Sequence, residues 1–126
     1  MAVTTRPRER AYVPKGFETW AWLFMRYSAV LLIPLVWIHV LLQDVLVGVH
    51  AINLDYVAMR WALIGWRVYD FLLLAFTFAH GMNGLRNVLG DYIRRTGTRR
   101  LVNWLMLVFW AAISVIGGVA IIGGVR

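Results

Sequence analysis

The chain has no cysteine among its 126 residues. That excludes disulfides, thiolate-held iron–sulfur clusters and cysteine nucleophiles, so any cluster this protein serves sits in another chain. Acidic residues are scarce, six against thirteen basic ones, and charged residues of both signs make up only 15% of the sequence. A soluble domain carries about a quarter, so a water-soluble globule is excluded. Only three prolines occur, which leaves long stretches free to be helical. What fills the chain is apolar: 61% hydrophobic residues and a mean hydropathy of +0.69. This is the composition of an all-α integral membrane protein.

A net charge of +7 would suit a nucleic-acid binder. The basic residues, however, stand at the ends of apolar runs and do not interleave with aromatics on a polar surface. Membrane topology accounts for them, and nucleic acid is not expected as a partner.

Residues 1–18 are polar, with Arg6, Arg8, Arg10 and Lys15 set against Glu9 and Glu18, and with Pro7 and Pro14 discouraging a continuous helix. They read as a cytoplasmic arm. The apolar run that follows is too long for the core of a cleavable signal and lacks a small-residue cleavage site. Residues 19–126 therefore read as a three-helix transmembrane anchor, with spans at about 20–43, 61–90 and 101–125. The charge-free core of the first, 27–43, holds 17 residues, enough for about 25 Å of hydrocarbon. Trp20 and Trp22 suit the headgroup layer; Arg26 either snorkels toward it or faces an anionic cofactor group. Pro34 is expected to kink this span.

The connection 44–60 has no basic excess and belongs outside by the positive-inside rule. The second span is long for one crossing. It is expected to begin as an interfacial turn over 65–70, with Arg67 and Asp70 paired at i, i+3. The connection 91–100 carries Arg94, Arg95, Arg99 and Arg100 against one acid, with Gly97 as breaker, and belongs inside. The glycine pairs Gly117-Gly118 and Gly123-Gly124 in the last span permit close helix approach. The expected topology is multi-pass in a bacterial inner membrane, N-terminus cytoplasmic and C-terminus periplasmic. Three helices make a thin bundle, whose intramembrane polar groups need a second chain to cover them.

The stretch 78–92, F-A-H-G-M-N-G-L-R-N-V-L-G-D-Y, carries the chemistry. In a helix, His80, Gly84, Asn87 and Asp91 share one face. His80 is a potential axial ligand, Gly81 and Gly84 leave room for a flat macrocycle, and Arg86 and Asp91-Tyr92 sit where such a site would meet water. That pattern suits a haem or quinone site. Plainer roles compete: an intramembrane histidine also bonds neighbouring helices, glycines serve packing, and an interfacial tyrosine joins the aromatic belt. His39, 13 residues past Arg26 and so about 20 Å further out, reads as a buried hydrogen bonder or as ligand to a second, outer haem. His50 reads as a surface residue of the outer connection.

The spacing of His80, eleven residues and Tyr92, with Asp91 before the tyrosine, Ala79 before the histidine and Gly84 four residues after it, resembles the small cytochrome b membrane anchor of succinate dehydrogenase. The Arg26-Tyr27-Ser28-Ala29 stretch, the length and the topology add to the resemblance. It implies a subunit of succinate:quinone oxidoreductase (complex II), or of the similar quinol:fumarate reductase. There a flavoprotein with FAD oxidises succinate, an iron–sulfur subunit conducts the electrons, and two anchors form a quinone site near a b-type haem. On that resemblance His80 is one axial ligand of haem b, shared with a second cytochrome b anchor. Tyr92, steadied by Asp91, hydrogen-bonds ubiquinone or menaquinone. Arg26 and Arg86, added from charge and depth, would partner haem propionates or the quinone being reduced. No succinate oxidation is expected of this chain alone. A haemless structural anchor and a small transporter subunit remain as alternatives; midplane polarity confined to His39 and His80 counts against the transporter.

Overall fold

The computed structural model describes residues 16–124, so the arm read at 1–18 lies almost wholly outside the described residues, as do Val125 and Arg126. Among the described residues every regular element is helical. Helix α1 (Phe17–Val40) runs on through Pro34 and then loosens into a π-helical stretch, Leu41–Val47. Gly48, at φ 82°, ends that stretch in a conformation side chains rarely adopt. A 3-10 turn (Val49–Ala51) leads into α2 (Leu54–Ala62). Asn53 caps α2, its side-chain oxygen accepting the Tyr56 N–H at 2.9 Å. Much of the predicted outer connection is thus helical.

Helix α3 (Ile64–Tyr92) leaves α2 at 110°. The break stands at Leu63, whose backbone is extended, so the expected interfacial turn at 65–70 is already part of α3 and the surface-type helix is α2. Helix α4 spans Thr96–Gly123, and only residues 93–95 separate it from α3. Gly97 is therefore no breaker. It lies in the first turn of α4, where backbone N–H groups have no intrahelical partner and a glycine disturbs little. Two helices, Phe17–Val47 and Thr96–Gly123, are long and apolar enough to cross a membrane, and the bent α2–α3 pair makes a third if it counts as one span. At 29 residues, α3 is about 43 Å long and outreaches a hydrocarbon core of about 30 Å.

Helix α3 is the centre of the bundle and packs on both α1 and α4. The order is up, down, up. Glu18 at the start of α1 meets Arg86 near the end of α3, Arg99 in the first turn of α4 lies against Gly90, and Arg67 at the start of α3 reaches the Ile122 carbonyl at the end of α4. One end of the bundle thus gathers Glu18, Arg86, Arg99 and their basic neighbours. The α3–α4 seam uses the first glycine pair as expected. A Cβ on Gly117 would stand 2.7 Å from Leu74 Cδ2, and one on Gly118 3.4 Å from Phe71, so a side chain at Gly117 would force Leu74 to repack. Gly123 meets nothing.

Among the described residues Ile121 is the only fully buried hydrophobic side chain, whereas Trp20, Trp37 and Trp104 are each at least 60% exposed. So much bare apolar surface needs lipid or another chain against it.

Candidate functional site

His80 lies on α3, half-buried against α1. Its Nδ1 is 2.8 Å from the Ser28 hydroxyl, and that hydroxyl lies 2.6 Å from the Phe24 carbonyl one turn earlier in α1. Ser28 is 2% exposed, the most enclosed side chain described. No hydrogen bond among the described residues reaches His80 Nε2. The two glycines divide the packing between them. A Cβ on Gly84 would touch Met25 of α1 at 3.5 Å, so Gly84 admits the neighbouring helix, whereas Gly81 is exposed and faces open space. One edge of the imidazole is therefore tied to α1, and the next residue along α3 faces open space.

Toward the basic end, a short network joins α1 to α3. The Asn83 amide donates to the Ala21 carbonyl at 3.3 Å, Arg86 Nε donates to Asn83 Oδ1 at 3.1 Å, and the Arg86 guanidinium forks onto both Glu18 oxygens at 2.8 Å. Arg86 already has its anion. Arg26 is placed differently: it stands about 200° around α1 from Ser28, at 100° per residue, exposed, with its guanidinium 4.2 Å over the Trp22 ring. Among the described residues no carboxylate pairs with it. Asp91 and Tyr92 close α3 in its last turn, and Tyr92 is 81% exposed. An apolar cavity of about 430 Å³ opens beside Arg86, lined by Phe24, Ala79, Met82, Asn83 and Trp110. Tyr92 is not among its walls.

His39 is not brought to His80. It lines a separate cavity of about 540 Å³ with Gln43, Tyr56, Arg60, Trp61 and Asp70. His39 Nδ1, Gln43 Oε1 and Arg60 Nε are buried there without a partner among the described residues. Asp70 does not pair with Arg67. It accepts from Arg60 Nη2 at 2.7 Å and from Trp61 Nε1 at 2.9 Å. Arg60, 6% exposed, lies over the rings of Trp66 and Tyr69. The bend at Leu63 is the reason, since it swings the end of α2 across the start of α3. Arg67 serves two carbonyls instead, those of Trp61 and Ile122, the second among the orphan acceptors of a helix end.

Ser28, Glu18, Arg60 and Trp61 are the partners of the expected site residues that sequence reasoning missed. For Ser28 a signal existed, a small polar residue inside an apolar span.

A family model, succinate dehydrogenase/fumarate reductase transmembrane subunit, matches residues 4–117 of the chain. No curated protein matches it.

Proposed function

The chain belongs to the succinate dehydrogenase/fumarate reductase transmembrane subunit family, and we propose that it is one of two cytochrome b anchors of a succinate:quinone oxidoreductase. In this reading it crosses a bacterial inner membrane three times, its basic end inside. Its partners are a flavoprotein, an iron–sulfur subunit and the second anchor. That second anchor covers the open flank of α1 and α3.

His80 is the axial ligand this chain offers to haem b. The observation that carries the proposal is the state of its ring: Nδ1 is held from α1, while no hydrogen bond reaches Nε2 among the described residues. An imidazole held by one nitrogen with the other free suits axial ligation. Haem bound there supplies a one-electron store. Arg26 is exposed and unpaired with any described carboxylate, but it stands on the side of α1 away from the serine that meets His80, so it would reach propionates only where the macrocycle extends past α1. Arg86 would have to leave Glu18 for that role, so its first task is to hold α1 on α3. Gly84 is used by α1, and clearance for a macrocycle falls to Gly81. At the basic end, the exposed Tyr92 hydroxyl with Asp91 beside it would donate to a quinone oxygen where water can supply protons. A quinol:fumarate reductase would use the same groups in the opposite direction.

For a second haem at His39 the supporting observation is the ring itself: Nδ1 is buried without a partner among the described residues, beside a cavity of about 540 Å³.

The test is a reduced-minus-oxidised absorption spectrum of the intact complex, with and without His80→Leu. Leucine suits the bilayer but offers no nitrogen, so the b-haem signal should vanish while the subunits still assemble. Unchanged haem content would remove His80 as a ligand, and a wild-type complex without any b signal would leave a haemless anchor.

A further inference from the structure

We infer that Ser28 is a positioning residue that fixes His80 as its Nδ1–H tautomer, so that the free lone pair of the ring is on Nε2. This rests on the reading of His80 as a ligand.

The argument is one of counting protons. A serine hydroxyl has one proton and two lone pairs. Its oxygen lies 2.6 Å from the Phe24 carbonyl oxygen and 2.8 Å from His80 Nδ1. Two oxygens at 2.6 Å need a proton between them, since that distance belongs to an O–H···O bond and would otherwise press lone pair on lone pair. The carbonyl has no proton to give, so the hydroxyl donates to Phe24. The proton in the contact with His80 must then come from Nδ1. The opposite tautomer, with its lone pair on Nδ1, would claim the same hydroxyl proton and strip it from the shorter contact. Water cannot mediate, because Ser28 is 2% exposed. The Met25 carbonyl, at 3.5 Å from the hydroxyl, competes poorly.

The consequence goes beyond orientation. A histidine that donates its second ring N–H becomes a more basic ligand through the other nitrogen, and such outer partners change metal affinity by about 10- to 100-fold when removed. A more basic ligand favours the oxidised metal, so Ser28 lowers the reduction potential of whatever iron His80 holds. The serine also ties the ligand to α1, so the ring cannot turn about its χ angles without breaking a buried hydrogen bond.

The test uses the whole complex with Ser28→Ala, Ser28→Cys and His80→Leu, read by haem retention on prolonged dilution and by redox titration of the b signal. Alanine is a good helix former and removes only the hydroxyl. Ser28→Ala should lose haem about 10- to 100-fold faster and raise the potential of what remains. Cysteine keeps the bulk but is a weak acceptor, so Ser28→Cys should shift the potential in the same direction. A wild-type potential and retention in Ser28→Ala overturns the inference. So does a Ser28→Cys complex that behaves as wild type while Ser28→Ala does not, because bulk would then be what counts. If His80→Leu keeps its haem, the reading of His80 itself fails; if His80→Leu loses haem and Ser28→Ala does not change, only the assignment to Ser28 fails.

Discussion

Removing the carboxylate of Asp70 should release α2 from the bundle. Asp70→Ala leaves the guanidinium of Arg60, 6% exposed, without its anion and deprives the Trp61 N–H of its acceptor. Taking one partner from a buried ion pair costs about 3–5 kcal/mol. Asp70 keeps 16% exposure, which puts the expected cost near the lower end, about 3 kcal/mol. At about 1.4 kcal/mol per factor of ten, the population in which α2 has swung away should rise by about two powers of ten. The chain has no cysteine, so Val57→Cys, half-buried in α2 and facing the cavity, can report opening through the rate of thiol labelling read on this subunit after the subunits are separated. Asp70→Ala should speed that labelling about a hundredfold in the reconstituted complex. The double replacement Arg60→Met with Asp70→Leu should slow it again, since an apolar pair no longer strands a charge. Glu18→Ala should leave it unchanged: that pair is two-pronged at 2.8 Å, but its carboxylate is 73% exposed, and such pairs contribute about 0–1 kcal/mol. Labelling accelerated by less than about threefold in Asp70→Ala would refute the claim that a buried ion pair holds the bend.

Tyr92→Phe removes one hydroxyl at an exposed helix end, so haem and assembly should be kept while quinone reduction falls by about 10²- to 10³-fold, the loss usual for one donor to developing negative charge; wild-type turnover would return Tyr92 to the interfacial belt. Electron transfer from succinate to a soluble acceptor should be spared in that variant. A cysteine at the exposed Thr98, in the first turn of α4, should react with an impermeant thiol reagent only from the cytoplasmic face; labelling from outside intact cells would reverse the topology.

The parts of this structure that were legible in the sequence are those decided by neighbours along the chain. The apolar runs, the basic end, the polar stripe through His80 and the close approach at Gly117-Gly118 all follow from composition and from helical period. Pairings that depend on where the chain turns were not legible. Arg67 and Asp70 have ideal spacing for each other, yet the carboxylate goes to Arg60, because a 110° bend at Leu63 brings α2 back over α3 and no local pattern announces that angle. Arg86 reads in the sequence as free for a cofactor, since its partner Glu18 is 68 residues away and only the antiparallel packing of α1 on α3 makes them neighbours. Ser28 was visible as one letter of a short motif around Arg26. Helical period puts the serine and the arginine on opposite sides of α1, so the residue that faces His80 is the one with the smaller side chain.

One unbroken rod carries both the imidazole of His80 and the phenol of Tyr92. Twelve residues apart along α3, they are separated by about 18 Å and by about 120° of rotation. That interval is written into the covalent chain and its internal hydrogen bonds, not into contacts between helices. When the bundle tilts, the bilayer thins or a peripheral protein docks, the two groups travel together and their separation stays the same. Neighbouring helices can loosen or tighten their grip without retuning the spacing between the imidazole and the phenol. In mechanical terms α3 is a gauge block, and the irregular parts of the protein, the α2 bend and the π-helical stretch, are gathered around its other end.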